Sequence, residues 1–186
     1  EGGEEGWKAL KSTSQEVEMK LKFLTSGATG KAVGVVDCSA ERVAAWMMDY
    51  CSEERMRESH ERGSPRLELR DLRRENESSV ATIEPFPLFT SDREFVFRQV
   101  WKSEEGKVSI AIESVDKLVD FGRSKSSRVR GSVRAFWLME NLSLSQGSRD
   151  NVAKCKITFV QQVDVAGAIP KWIVNKKIPE QLQVRN

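Results

Sequence analysis

The stretch Ile157-Thr158-Phe159-Val160-Gln161-Gln162-Val163-Asp164-Val165-Ala166-Gly167-Ala168-Ile169-Pro170-Lys171-Trp172-Ile173-Val174-Asn175 changes its period part-way along. Ile157, Phe159, Gln161 and Val163 alternate with their neighbours, which is the two-residue repeat of a half-buried strand. Past Ala166-Gly167 the repeat lengthens, and Ile169, Ile173, Val174 and Ile178 fall on one side of a helix. Pro170 suits the start of that helix, and Pro179 bends or ends it. A half-buried strand therefore feeds directly into an amphipathic helix.

Upstream the chain reads mostly as long strands. Val129 to Leu142 and Ala153 to Val165 are joined by the polar stretch around Gln146-Gly147-Ser148, and Arg93 to Lys102 and Lys107 to Val119 by a hairpin at Glu105-Gly106. Phe95, Phe97, Gln99 and Trp101 share one face of their strand. Arg66 to Arg74 and Ser79 to Glu84 form a further pair, followed by the apolar connection Pro85-Phe86-Pro87-Leu88. Near the start, a strand from Trp7 places Val17, Met19, Leu21 and Phe23 on one face, between Glu18, Lys20 and Lys22. Gly27 and Gly30 mark a turn, and Lys31 to Val36 is a second strand.

Two helices interrupt the strands. Ser39 is a plausible N-cap with Glu41 in the first turn, and Val43, Trp46, Met47 and Tyr50 follow at helical spacing. The second, Glu53 to Arg62, is dense in Glu and Arg, a solvated helix stopped by Gly63-Ser64-Pro65. The order is thus strands, two helices, about six strands and a final helix. Strands segregated from helices argue an α+β antiparallel domain and not a doubly wound sheet.

At 186 residues the chain fits one domain, expected over 7–186 behind a frayed end at 1–6. A net charge of +2 gives no overall field toward nucleic acid, and no apolar run nears the ~20 residues of a membrane span. The start, Glu1-Gly2-Gly3-Glu4-Glu5-Gly6, has neither an initiator Met nor a signal-peptide core, as an excised domain would read. Cys38, Cys51 and Cys155 are odd in number and widely spaced, which suits reduced thiols in a cytoplasmic setting. One histidine, His60, beside scattered cysteines makes no metal site, and no cofactor motif is present.

Several stretches resemble motifs of the START family of lipid-transfer domains. Asp164 to Asn175 is similar to the family's D-x-x-G-x-x-P-x-x-x-x-N passage from last strand into last helix, and Arg93-Glu94-Phe95-Val96-Phe97-Arg98 to its R-D/E-F-V-x-x-R strand. Val129-Arg130-Gly131 and Val36-Asp37-Cys38-Ser39 are weaker matches, in family order. The resemblance implies a helix-grip fold: a long curved antiparallel sheet closed by a C-terminal helix around a hydrophobic tunnel. It also implies the function, namely enclosing one phospholipid or sterol-like molecule and exchanging it at membranes as a peripheral monomer, without catalysis.

On that reading Phe97, Gln99, Trp101, Ile110, Ile112, Trp137, Met139, Phe159, Gln161 and Val163 line the tunnel, and Ile173, Val174, Ile178 and Leu182 form its lid. Phe86, Leu88, Lys171, Trp172, Lys176 and Lys177 would dock on a membrane. The family's inward Arg falls at Arg98 or, in register with Phe95 and Phe97, at Gln99; alternation puts Gln99 on the Phe face, so that a neutral amide replaces the charge. Two other readings differ in class. One is a ligand-sensing module of a larger protein. The other is an enzyme on the same fold, with Glu84, Glu113 and Asp120 as the carboxylates to suspect.

Overall fold

The computed structural model describes residues 6–12, 14–24, 27–61, 63–64, 66–69, 75–85, 91–115, 128–142 and 153–167. The chain order is β1 (Lys8–Leu10), β2 (Val17–Leu24), β3 (Gly27–Val36), α1 (Ala40–Met48), α2 (Glu53–Glu61), β4 (Arg66–Leu69), β5 (Glu77–Glu84), β6 (Arg93–Glu104), β7 (Lys107–Ser114), β8 (Val129–Arg130), β9 (Ser132–Asn141) and β10 (Cys155–Asp164). Among the described residues these strands form one sheet in the order β1-β2-β3-β10-β9-β7-β6-β5-β4, antiparallel throughout except that β8 runs parallel beside the start of β6. The last strand is therefore central, between β3 and β9.

Three expectations are corrected. The single strand from Trp7 is two strands, because serine hydroxyls offer the backbone a turn: Ser12 Oγ accepts from Ser14 N and Ser14 Oγ from Glu16 N. Gly30 is not a turn residue but lies inside β3, opposite Leu21 and Gln161. The strand expected from Val129 to Leu142 is divided at Gly131, whose N–H donates to Glu94 O at 3.0 Å. A Cβ on Gly131 would lie 2.4 Å from Phe95 Cε1 and 3.0 Å from Asp164 O, so only glycine lets β8 pass that close to β6 and β10.

The helices are set by local chemistry and then anchored to the sheet. Ser39 caps α1, its Oγ accepting from Arg42 N. Asn141, at the far end of β9, accepts from Ala40 N at 2.7 Å and donates to the Glu41 carboxylate. The Glu41 carboxyl is held below its usual range first by its backbone hydrogen bond and then by Asn141. A Schellman arrangement ends α2: Gly63 has φ +72°, its N–H donates to His60 O, and Ser64 N donates to Ser59 O. Arg55 ties the helices together, donating to Trp46 O at 2.7 Å and stacking over the Trp46 ring. No helix among the described residues is long and apolar enough to cross a membrane.

Gly131→Ala is expected to destabilise the domain by about 1–3 kcal/mol, since the buried Phe95 ring and a backbone carbonyl must both give way. Denaturant unfolding checks this, and a change under ~0.5 kcal/mol would contradict it.

Candidate functional site

Cross-strand register sorts the side chains into two faces. One inner row runs Leu10, Met19, Ala32, Phe159, Trp137, Ile110, Trp101. The next runs Leu21, Gly30, Gln161, Ala135, Ile112, Gln99, Ser78. A third has Phe23, Ala28, Val163 and Val133 on one flank and Ser114, Phe97 and Val80 on the other, linked where Val133 N donates to Ser114 Oγ at 2.7 Å. The residues named in these rows are apolar or neutral; at the two sheet edges the register continues to Lys8 opposite Leu21 and to Glu68 opposite Val80. The opposite face carries the ion pairs Arg134–Glu113, Lys107–Glu140 and Arg98–Glu77, whereas Arg93 and Glu84, opposite each other, share the parity of the inner face at the start of β6.

All ten tunnel residues expected from β6, β7, β9 and β10 stand on the inner face. The structure divides them into two groups. Ile110 and Met139 are fully buried with Val108 and Cys155 beneath Ala40 and Ala44 of α1, and Trp101, Ile112 and Trp137 pack against that cluster. Phe97 and Val163 belong to a second cluster with Val80 and Phe95, where the Tyr50 ring meets Phe97 edge-on at 5.9 Å. Between them Trp137 stacks on Phe159 at 3.8 Å. Glu113 points outward in its pair with Arg134, and Glu84 accepts from Ser64 Oγ, while Asp120 lies outside the described residues. Phe86, Leu88, Lys171, Trp172, Ile173, Val174, Lys176, Lys177, Ile178 and Leu182 lie outside them as well.

Register resolves the Arg98 or Gln99 alternative. Arg98 faces outward beside Glu77 at 3.6 Å, whereas Gln99 is 2% exposed on the inner face. Gln99 Nε2 donates to Ser78 Oγ at 2.8 Å and to Met48 O, at the end of α1, at 3.4 Å. A carbonyl is acceptor-only, so the amide must turn its nitrogen to Met48, and Oε1 takes part in neither bond.

Two hollows border this face. One of about 570 Å³ lies at the β1–β2 edge, lined by Leu10, Val17 and Met19 among others, and contains none of the expected site residues. The other, about 240 Å³, is lined by Met48, Ser78 and Trp101 together with Asp49, Glu75 and Glu77. Cys155, buried at the α1 end, has its thiol pushed up by burial and then by Cys38 and Glu41, which keeps it protonated.

A family description of the START domain matches residues 1–181. This chain belongs to the START domain family. Its fold is the family's α+β helix-grip, shared with solved structures of low identity. Human StAR-related lipid transfer protein 5 is 18% identical with a TM-score of 0.68, the match covering 97% of this chain and 82% of that one. A StAR-related lipid transfer protein from Xanthomonas axonopodis is 15% identical with a TM-score of 0.68, covering 96% and 93%. Human STARD10 is 19% identical with a TM-score of 0.67, covering 97% and 71%. No curated protein matches the chain by sequence.

In this START domain sequence reasoning missed the partners that fix the site. Ser78 fell outside the strand expected to begin at Ser79, and the Met48 carbonyl comes from a helix 51 residues away in sequence, which no local pattern signals. In the sequence Arg93 is marked only by its place at the head of the Arg93 to Arg98 motif. It is 3% exposed, with Nε donating to Val165 O at 2.7 Å, Nη2 to Ala166 O at 3.3 Å and Nη1 to Ser91 O. Burial pulls its pKa down, and Asp92 opposes that pull. The guanidinium thus holds the segment leaving β10, where Ala166 and Gly167 both take positive φ. Two buried hydroxyls, Ser59 Oγ and Thr82 Oγ1, have no hydrogen-bond partner among the described residues.

Arg93→Met should leave those carbonyls without their donor, costing about 1–3 kcal/mol. Hydrogen exchange should quicken around Val165 to Gly167 more than in α1; uniform protection as in wild type would contradict this role.

Proposed function

We propose that the domain binds one hydrophobic molecule, phospholipid or sterol-like, on the inner face of its sheet and exchanges it at membranes from the cytoplasm as a monomer. The observation that carries the reading is the inner face itself. Three rows of apolar and neutral side chains cross most of the sheet, and among the described residues α1 packs over the end at Val108, Ile110 and Met139. The related structures are those of lipid transfer proteins, which supports the same reading. Phe97, Gln99, Ile112, Trp137, Phe159, Gln161 and Val163 face the ligand, and Trp101, Ile110 and Met139 wall its inner end. Ile173, Val174, Ile178 and Leu182 serve as lid, and Phe86, Leu88, Lys171, Trp172, Lys176 and Lys177 as docking residues, as the sequence suggests.

The mechanism is burial without chemistry. Apolar ligand surface leaves water at ~25 cal/mol per Å² before the costs of association. Gln99 directs the polar end: its amine is used internally, so Oε1 remains as an acceptor for a ligand hydroxyl. The central stretch of those rows, from Gly30 to Gln99, holds no charge, so a phosphate has no partner there and an anionic headgroup would stay toward an edge of the face.

Native mass spectrometry of the purified protein should show one co-purified lipid, and a liposome assay should show its transfer. Gln99→Leu should weaken binding of a hydroxyl-bearing lipid by about tenfold, roughly one hydrogen bond, and leave its methyl ether less affected. Protein that carries no lipid and takes none from liposomes would refute the reading, and lipid held without transfer would favour sensing.

A further inference from the structure

The outer face of the sheet is not uniformly polar. Alternation gathers Val33, Leu138, Phe136, Val160, Ala111 and Val100 at its centre, on two neighbouring rows. Phe136 is 44% exposed there, in the middle of β9. A charged row borders this patch on each side. Across β6, β7 and β9 one row reads Arg98, Glu113, Arg134, and the other reads Glu104, Lys107, Glu140. Neighbours within a row pair with each other, Arg134 with Glu113 at 3.1 Å and Lys107 with Glu140 at 2.9 Å. An apolar centre between charged margins is the make-up of a protein interface.

The order of the signs selects the partner. Strand by strand, plus, minus, plus in one row meets minus, plus, minus in the other. The surface that complements this face is therefore the same face, turned half round about an axis between the two apolar rows. That turn lays Arg134 over Glu140 of the second copy, Glu113 over Lys107 and Arg98 over Glu104. At the centre Phe136 of each copy meets Leu138 of the other, and the small Ser109 and Ala111 on β7 leave room beside the ring. A half-turn about an axis along the strands would instead set Phe136 on Ala111 and Leu138 on Ser109, so that the two large side chains never meet.

We propose that this outer face pairs two copies of the chain, sheet against sheet, ~10 Å apart and with strand directions within about 30°. The four rows on β10, β9, β7 and β6 cover roughly 500 Å² of each copy at ordinary strand and residue spacings. Both copies together bury about 1,000 Å², the lower edge of a specific interface. The pair is accordingly weak and reversible. The chain is single at the dilution where it meets a membrane and paired where it is concentrated. The inference goes beyond the lipid-exchange reading, because the inner face takes no part in the contact.

The test is sedimentation velocity of the whole chain from about 1 μM to about 1 mM, a range that spans weak association. Wild type should pass from one chain toward two, and added salt should weaken the pairing. Phe136→Thr, which keeps the strand preference, should weaken it by at least about tenfold. Glu140→Lys and Arg134→Glu, each alone, set like charges together in both halves of the pair and should weaken it on the order of tenfold. Mixed one to one, these two variants should pair about as well as wild type. The new lysine of one then faces the new glutamate of the other, and the remaining half keeps its wild-type contacts. Arg42→Gln, on α1 over the inner face, should change nothing. Thermal melts establish that each variant is folded. Wild type that stays single at the highest concentration, a Phe136 variant that pairs like wild type, or a mixture no better than its components would overturn the proposal; the last is what an axis along the strands would give. Native mass spectrometry should find the same lipid content in Phe136→Thr as in wild type. Lipid absent from both would refute the exchange reading and leave the pairing standing.

Discussion

The alternation of side chains across paired strands is the constraint on which the rest depends. Once β3, β10, β9 and β7 are in register, Ala32, Phe159, Trp137 and Ile110 must share a face, and Lys31, Val160, Phe136 and Ala111 must share the other. A slip of one residue anywhere would drive Lys156 and Arg134 inward and Phe159 out. Burial removes that ambiguity. Met139, Ile110 and Cys155 are almost inaccessible under α1, and the outer face is laced with ion pairs that a slip would break. An amphipathic sheet of this size needs cover on its apolar side, which is the physical reason to look for a guest there.

The polar groups on that side are few and specifically held. Gln99 is costly to bury unless bonded, and its amide nitrogen is bonded by two elements distant in sequence, the start of β5 and the end of α1. The same bonds tie the end of α1 to the sheet and fix which way round the amide stands. Arg93 performs a comparable service at the opposite end, satisfying backbone carbonyls where the chain leaves β10. One end of the face is thus closed by packing, and the other is bounded by a held turn and the Phe23 rim.

Much of this was legible in the residues. The repeats of β6 and β10, the Ser39 cap, the Glu105-Gly106 hairpin with Gly106 at φ +68° and the stop at Gly63 are local signals, and local physics carried them into the structure. The inward position of Gln99 followed from alternation alone. What local reading missed depends on contacts between distant segments. Gly131 divides a strand because of Phe95 and Asp164, which lie 36 residues before it and 33 after it. Gly30 has the composition of a turn but lies within β3, because pairing on both sides outweighs its weak strand preference. Ser78 and Met48 come to Gln99 only when β5 pairs with β6 and the end of α1 reaches the same side chain.

The most direct measurement is isotope-filtered NMR of the protein loaded with an unlabelled lipid. The account predicts contacts from the acyl or ring protons to the methyl groups of Ile112, Val133 and Val163, and none to those of Val33, Val35 and Leu138 on the opposite face. Contacts confined to the outer set, or an inner set that responds to no hydrophobic molecule, would contradict it.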